Sequence, residues 1–339
     1  MVSTRLLPPT ALAILLALPT GAPAQVVDLT IDDVGLAIGD KPRMTGLRIN
    51  FRDARLEEIN GINITLWSPY EGSHGTVNGL ALGLPVTGAE RINGIATGLF
   101  GAGAEESITG IGIAPIGLGG GGELRGVMVG GVGVGSGGGL TGIGVGGIGV
   151  GSGGPMTGLF VGGIGTGSGS RIKGIAIGGI GVGSGESLTG LSIGGIGVGS
   201  GAGIRGVSVG GIGVGSGEEI VGLTIGGIGV GSGERLHGLS IAGVGAGAPQ
   251  LSGVVISGIA AGGEEVRAIV LSGAYFTVTK GGSFRGASVS AFNRIQGTQR
   301  GLTIGLINYA RTLRGYQLGL INISDNDGRR LILPVFSTR

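Results

Sequence analysis

The chain has 339 residues, of which 86 are glycine, and 41% of its residues are hydrophobic, 4% aromatic and 12% charged. Globular domains contain about 7% glycine and about 25% charged residues, so this composition excludes an ordinary mixed globular core. The absence of cysteine excludes disulfides, thiol catalysis and thiolate metal sites, and the net charge of +2 predicts no basic face of the kind that binds nucleic acid.

Residues 1–24 have the pattern of a secretory signal peptide. Arg5 supplies a positive charge, an apolar stretch covers residues 11–18, and Ala22-Pro23-Ala24 is an A-x-A cleavage site. The apolar stretch is too short to span a bilayer, which needs about 20 residues. The sequence therefore predicts export to the periplasm, the outer membrane, or the cell surface and extracellular space.

After an N-terminal cap over residues 25–45, glycine-rich repeats fill residues 46–324, in about 18 units, and residues 325–339 form a C-terminal cap. The period is a strict sixteen residues over 126–241 and varies from 14 to 18 elsewhere. The leading glycines of the strict block are Gly126, Gly142, Gly158, Gly174, Gly190, Gly206, Gly222 and Gly238.

Each unit contains two short stretches in which apolar and small residues alternate. Counting the leading glycine as position 0, apolar residues stand at positions 1, 3, 6, 8 and 14, as in the unit from Gly190 to Arg205. Alternation with a period of two predicts β-strands. The Gly-Gly step at positions 4 and 5 predicts a tight corner, and a two-residue turn would place positions 1, 3, 6 and 8 on one buried apolar face.

Two all-β architectures satisfy this pattern. In a β-solenoid each unit is one coil, and equal positions of successive units stack in parallel around a narrow core. In the alternative, each unit is a β-hairpin, and the hairpins form an antiparallel meander, as a curved or closed sheet. Near-identical units favour the solenoid, because stacking of equal positions gives every unit the same neighbours.

Ionisable residues in the strict block stand only at positions 12, 13 and 15, which predicts one variable charged edge. A solvated loop edge is the simple interpretation of this pattern, and a ligand-binding edge is the functional one. The edge residues are Arg171, Lys173, Glu186, Arg205, Glu218, Glu219, Glu234 and Arg235.

Motifs for catalysis or cofactor binding are missing from the sequence. The many G-x-G-x-x-G strings repeat throughout the block and open no helix of a βαβ unit, so they do not indicate nucleotide binding. Asp325 and Asp327 form the only oxygen-rich cluster, a weak metal candidate that is more typical of a turn. We therefore expect no enzyme, no cofactor and no small-molecule substrate.

The units that begin at Gly301 and Gly315 share the pattern G-h-x-h-G-L-h-N, ending in Asn308 and Asn322. This pattern resembles the repeats of a bacterial glycine-rich surface-repeat family of unknown biochemical function. The resemblance implies an exported cell-envelope protein and carries no catalytic residues. The central block departs from it by having glycine in place of the leucine and asparagine.

Two functions are compatible with these features. The first is an exported structural or interaction protein of the bacterial envelope or extracellular space, whose extended repeat surface meets an envelope protein, an extracellular protein or a second copy. The alternative is an outer-membrane-associated β-barrel or pore-like assembly, with about 18 units as 18 strands, although the change of face at each Gly-Gly step disfavours lipid-facing alternation.

Overall fold

A computed structural model describes residues 26–69, 74–326 and 328–339 of the chain. The regular secondary structure of these residues is entirely β-strand, in 32 strands. No helix of the described chain has the length and apolarity to cross a membrane. The predicted signal peptide, residues 1–24, lies outside the described residues.

The strands before the strict block are β1 Val27–Ile31, β2 Val34–Ile38, β3 Arg43–Asn50, β4 Glu58–Thr65, β5 Thr76–Gly83, β6 Val86–Gly98, β7 Gly101–Ala114 and β8 Gly117–Gly120. Those of the block are β9 Glu123–Gly130, β10 Gly133–Ser136, β11 Gly139–Gly146, β12 Gly149–Ser152, β13 Met156–Gly162, β14 Gly165–Ser168, β15 Ile172–Gly178, β16 Gly181–Ser184, β17 Ser187–Gly194, β18 Gly197–Ser200, β19 Gly203–Gly210, β20 Gly213–Ser216, β21 Glu219–Gly226, β22 Gly229–Ser232 and β23 Arg235–Ala242. Those after it are β24 Gly245–Gly247, β25 Gln250–Ser257, β26 Ala260–Ser272, β27 Tyr275–Phe284, β28 Ala287–Val289, β29 Phe292–Gln299, β30 Leu302–Leu313, β31 Tyr316–Asn326 and β32 Arg329–Thr338.

Successive coils stack in parallel with equal positions paired. Gly190 pairs with Gly206 on β19, and β18 pairs with β20 in the same register, Val198 opposite Val214. The same pairing continues from β2 to β31, which gives a β-solenoid of about 17 turns. The predicted solenoid is therefore confirmed, and the parallel pairing excludes the antiparallel hairpin meander.

Within a coil of the block, a strand of seven or eight residues and a strand of four are separated by turns of two or three residues. The leading glycine lies inside the longer strand and has a positive φ, 116° at Gly190. A Cβ at Gly190 would lie 2.1 Å from the carbonyl oxygen of Gly174 in the preceding coil. Because L-residues avoid this backbone region and the stacked coil leaves no space, only glycine fits position 0 of the strict block.

The core of each coil is lined by positions 2, 8 and 14. In one central coil, Ser192 is 4% exposed, Val198 3% and Ile204 1%. Positions 1, 3 and 6 point outward, so the prediction that positions 1, 3, 6 and 8 share one buried face is wrong. The reason is steric: at position 4, a Cβ on Gly194 would lie 2.0 Å from the carbonyl oxygen of Gly197, so the inner side of this corner has no room for β-branched side chains.

Position 2 varies in size, and glycine compensates for its largest side chains. Phe160 is fully buried, and a Cβ on Gly144, one coil earlier, would lie 3.1 Å from the Phe160 ring. Met128, also fully buried, has the same relation to Gly112, where a Cβ would lie 2.9 Å from the Met128 sulfur. The narrow core is therefore packed between coils as well as within them, which gives the close packing of a protein interior.

The two ends of the solenoid differ from the middle in strand direction. β1 pairs with β2 antiparallel, and β32 pairs with β31 antiparallel. Parallel stacking starts at β2, where Val34 pairs with Thr45, inside the segment that the sequence assigns to the N-terminal cap. Each terminal coil is thus covered by a reversed strand.

A buried charged cluster fills position 2 at the N-terminal end. The Arg48 guanidinium is fully buried and donates hydrogen bonds to Asp40 at 2.6 Å, to Asn63 at 2.8 Å and to Asp53. Asp53 is itself fully buried. Since removing one partner of a buried ion pair leaves an uncompensated charge, this cluster requires all its members.

A ladder of asparagines occupies the core at the C-terminal end. Asn293 donates to the side-chain oxygen of Asn308 at 2.8 Å, and Asn308 donates to that of Asn322 at 2.8 Å. All three side chains are fully buried. The asparagines of the G-h-x-h-G-L-h-N units therefore stabilise the stacking of the last coils.

Candidate interaction surfaces

An apolar strip, defined as the outward side chains at positions 1, 3 and 6, runs along the solenoid. At position 6 the exposed fraction of the isoleucines is close to one half, for example 49% at Ile196 and 51% at Ile212. At position 1, Ile143 is 39% and Ile175 39% exposed. Because equal positions stack in register, these side chains form continuous columns of Ile, Val and Leu that face solvent.

The strip continues beyond the strict block. Before the block, Trp67 is 52% and Phe100 50% exposed at position 6. After it, Ile307 is 38% and Ile321 43% exposed at the same position. The apolar surface therefore extends over nearly the whole length of the described chain.

The dimensions of the solenoid give the size of this strip. About 17 coils at about 4.8 Å each make a length of about 80 Å, and positions 1 to 4, the strand residues that carry two of the three columns, make a width of about 13 Å at about 3.3 Å each. The product is about 1,000 Å², whereas the largest apolar patch of a soluble monomer is about 300–600 Å². One side of a standard protein interface covers about 800 Å², so the strip is large enough for a stable complex.

The charged edge lies on other positions of the coil. Of its eight residues, Glu219 is half-buried, and the other seven are exposed; these are Arg171, Lys173, Glu186, Arg205, Glu218, Glu234 and Arg235. The structure thus brings the eight together along one edge of the stack, separate from positions 1, 3 and 6.

Ion pairs between coils link part of this edge. Arg205 donates to Glu219 of the next coil, with Nε to Oε1 at 3.1 Å, and Arg235 lies 3.9 Å from the other oxygen of Glu219. The hydrogen bond from Arg205 lowers the pKa of the Glu219 carboxyl. These pairs are solvent-exposed, so each contributes little to stability.

The weak metal candidate has its carboxylate engaged by protein groups. Arg330 donates two hydrogen bonds to Asp325, at 2.9 and 3.0 Å, and the Tyr309 hydroxyl donates a third at 3.2 Å. Asp327 lies outside the described residues. Among the residues that the structure describes, no group of three His, Cys, Asp or Glu side chains could hold a metal ion.

An arginine column on the C-terminal coils is the surface that sequence reasoning missed. The column consists of four exposed arginines, Arg267, Arg285, Arg300 and Arg314. Each arginine immediately follows a buried residue, and these four buried residues pair in register from one coil to the next. The overall net charge of +2 conceals this column, because residues 266–339 contain ten Lys or Arg and two Asp or Glu. Extending position 15 of the repeat to these units would have found the column.

Comparison with protein-family models, with curated proteins and with solved structures gives no significant match. The resemblance to surface-repeat proteins therefore stays a prediction.

Proposed function

We propose that the protein is an exported structural or interaction protein of the bacterial envelope or extracellular space, which acts without catalysis through its apolar strip. The observation that supports this proposal is the exposure of columns of Ile, Val and Leu over about 80 Å. Burial of apolar surface contributes about 25 cal/mol per Å², so a strip of this size is a strong driving force for association. The signal-peptide pattern of residues 1–24 supports export.

The solenoid suits such a role because its interior and its surface are set by different positions. Core residues at positions 2, 8 and 14 maintain the fold, while positions 1, 3 and 6 are free to contact a partner. A rod made of equivalent coils offers the same contact many times, and many weak contacts on one rigid body act together as a strong one.

The test compares the effect of substitutions in the apolar strip with that of substitutions elsewhere on the surface. The full-length chain, tagged and expressed in a bacterium, is compared with a triple variant, Ile180→Thr, Ile196→Thr and Ile212→Thr, whose changes lie at half-exposed positions of three neighbouring coils. The expected result is that the parent chain fractionates with the envelope and the variant shifts to the soluble extracytoplasmic fraction. Circular dichroism should show the same β-structure in both.

The matched control is Glu186→Gln, Glu218→Gln and Glu234→Gln, three exposed changes on the charged edge. This control should fractionate as the parent does. Retention of the parent chain in the cytoplasm, or equal fractionation of the two triple variants, would overturn the proposal.

A further inference from the structure

From the arginine column and its neighbours we infer a binding site for a linear anionic polysaccharide on the C-terminal coils, independent of the apolar strip. The column comprises Arg267, Arg285, Arg300 and Arg314. The ligand would carry carboxylate, sulfate or phosphate groups repeated along a sugar chain.

The stacking of the coils fixes the spacing of this column. Val266 pairs with Phe284, Phe284 with Gln299, and Gln299 with Leu313, and all four side chains are fully buried. The arginine after each one therefore points outward at the strand spacing of about 4.8 Å. Four guanidinium-bearing residues in a straight row span about 14 Å of the surface, by the same spacing.

A second column of hydroxyl groups runs beside the arginines. Ser283, Thr298 and Thr312 precede the buried residues, and they pair in register from coil to coil. They lie at the ends of β27, β29 and β30, two residues before the arginine that follows each strand. A hydroxyl group can both donate and accept a hydrogen bond, and a guanidinium group donates two parallel hydrogen bonds to a carboxylate or sulfate. The two columns therefore match a polymer that carries both hydroxyl and anionic groups.

The arginines lack the acidic partners that such a row would need for stability on its own. Within the described residues, no ion pair involves Arg285, Arg300 or Arg314. Like charges on adjacent strands are destabilising, and about 4.8 Å is shorter than the screening length of about 8 Å at physiological salt. An anionic chain along the row would remove this repulsion.

One end of the row is acidic and the other is extended by a further arginine. Glu265 occupies the hydroxyl position of the first coil, opposite Ser283. At the far end, the backbone N–H of Arg339 donates to the carbonyl oxygen of Gly315 at 3.3 Å, which places a fifth arginine next to Arg314. The basic surface is thus strongest from Arg285 onward.

The outward residues of this face favour a polysaccharide over a nucleic acid. Single-stranded nucleic acids are bound by basic grooves with aromatic side chains on which the bases stack. Residues 283, 285, 298, 300, 312 and 314 include no aromatic side chain. A sugar chain needs no stacking platform when hydroxyl and guanidinium groups supply directed hydrogen bonds.

The experiment measures binding of a fluorescent octameric polyuronate to the full chain at about 0.1 M salt, where surface charges more than about 10 Å apart are largely screened. The probe variant is Arg285→Gln with Arg300→Gln, and the matched control is Arg294→Gln with Arg311→Gln, two exposed arginines of the same coils outside the column. Both variants remove two charges. We expect the probe variant to weaken binding about tenfold or more, since two charge-assisted contacts are lost, and the control to weaken it less than about threefold by the loss of net charge alone.

Three outcomes would overturn the inference. The first is that the polyuronate does not bind. The second is that both variants weaken polyuronate binding equally, which would indicate a general charge effect. The third is that single-stranded DNA or phosphatidylglycerol vesicles bind more tightly than the polyuronate. A neutral oligosaccharide of equal length should not bind. The triple isoleucine variant of the apolar strip should bind the polyuronate normally, so failure of one proposal is distinguishable from failure of the other.

Discussion

Replacing the leading glycine of one coil should destabilise the solenoid far more than replacing a second glycine of the same coil. In Gly190→Ala, the new Cβ would lie 2.1 Å from the carbonyl oxygen of Gly174, at a φ of 116°. In Gly199→Ala, the new Cβ meets no atom within 4 Å, and φ lies outside the left-handed region. The two changes add the same methyl group to neighbouring strands of one coil.

The two replacements should change the free energy of unfolding in opposite directions. A non-glycine residue held at an unfavourable φ costs about 1–3 kcal/mol, and relief of the contact with Gly174 moves the backbone and weakens the stacking of that coil. In contrast, Gly→Ala in a permissive backbone region stabilises by about 0.4–1 kcal/mol, because the unfolded chain loses conformational freedom. By these ranges the free energies of unfolding should differ by about 1.4–4 kcal/mol, and the close contact with Gly174 adds to the difference.

Urea unfolding followed by circular dichroism measures this difference, and hydrogen exchange locates it. Because each coil contacts only its neighbours, faster exchange in Gly190→Ala should be centred on residues 174–206. Shifts of the same sign and size in the two variants would refute the reasoning, since the positive φ and the close carbonyl would then have no energetic effect.

Three further changes test the core and the ends. Phe160→Ala should lower the free energy of unfolding by about 3–5 kcal/mol, because it leaves a cavity beside Gly144, and thermal melting measures the loss. Asn308→Ala should cost about 1–3 kcal/mol, because the buried side-chain oxygen of Asn322 loses the hydrogen bond that Asn308 donates, with faster exchange in β30 than in the central strands. Hydrogen bonding by Lys41 lowers the pKa of Asp28 to about 2, so the stabilisation from the Lys41–Asp28 interaction is present above about pH 4 and is lost as the pH falls towards 2. The protection factors of the β1 amides, taken relative to the unstructured-chain exchange rate at each pH, should fall over that interval, while those of the central coils stay constant.

The sequence was sufficient to predict the coils but not which side of each strand is buried. A period of sixteen residues and stretches that alternate with a period of two favour a parallel stack over an antiparallel hairpin meander, and that prediction is confirmed. Which side chains point inward depends on the close approach between the backbone at Gly194 and the backbone after the corner. The sequence alone does not show this distance. Alternation is symmetric, so Ile193 and Ser192 were assigned to the wrong sides.

Of the two charged surfaces, the sequence predicted the charged edge but not the arginine column. The charged edge was visible because its residues stand at fixed positions of a strict period. The arginine column was not, because the C-terminal units vary in length and the four arginines are separated by 18, 15 and 14 residues. Only the paired strands show that they form one row.

The reversed strands at the two ends have a consequence for assembly. A parallel coil exposes backbone groups that another parallel coil can pair with, so an uncapped solenoid would add further chains end to end without limit. β1 and β32 run against that direction and present an edge with a different hydrogen-bond pattern. Coils can therefore be inserted into or removed from the middle of the stack, which changes its length, without altering the reversed strands at its two ends.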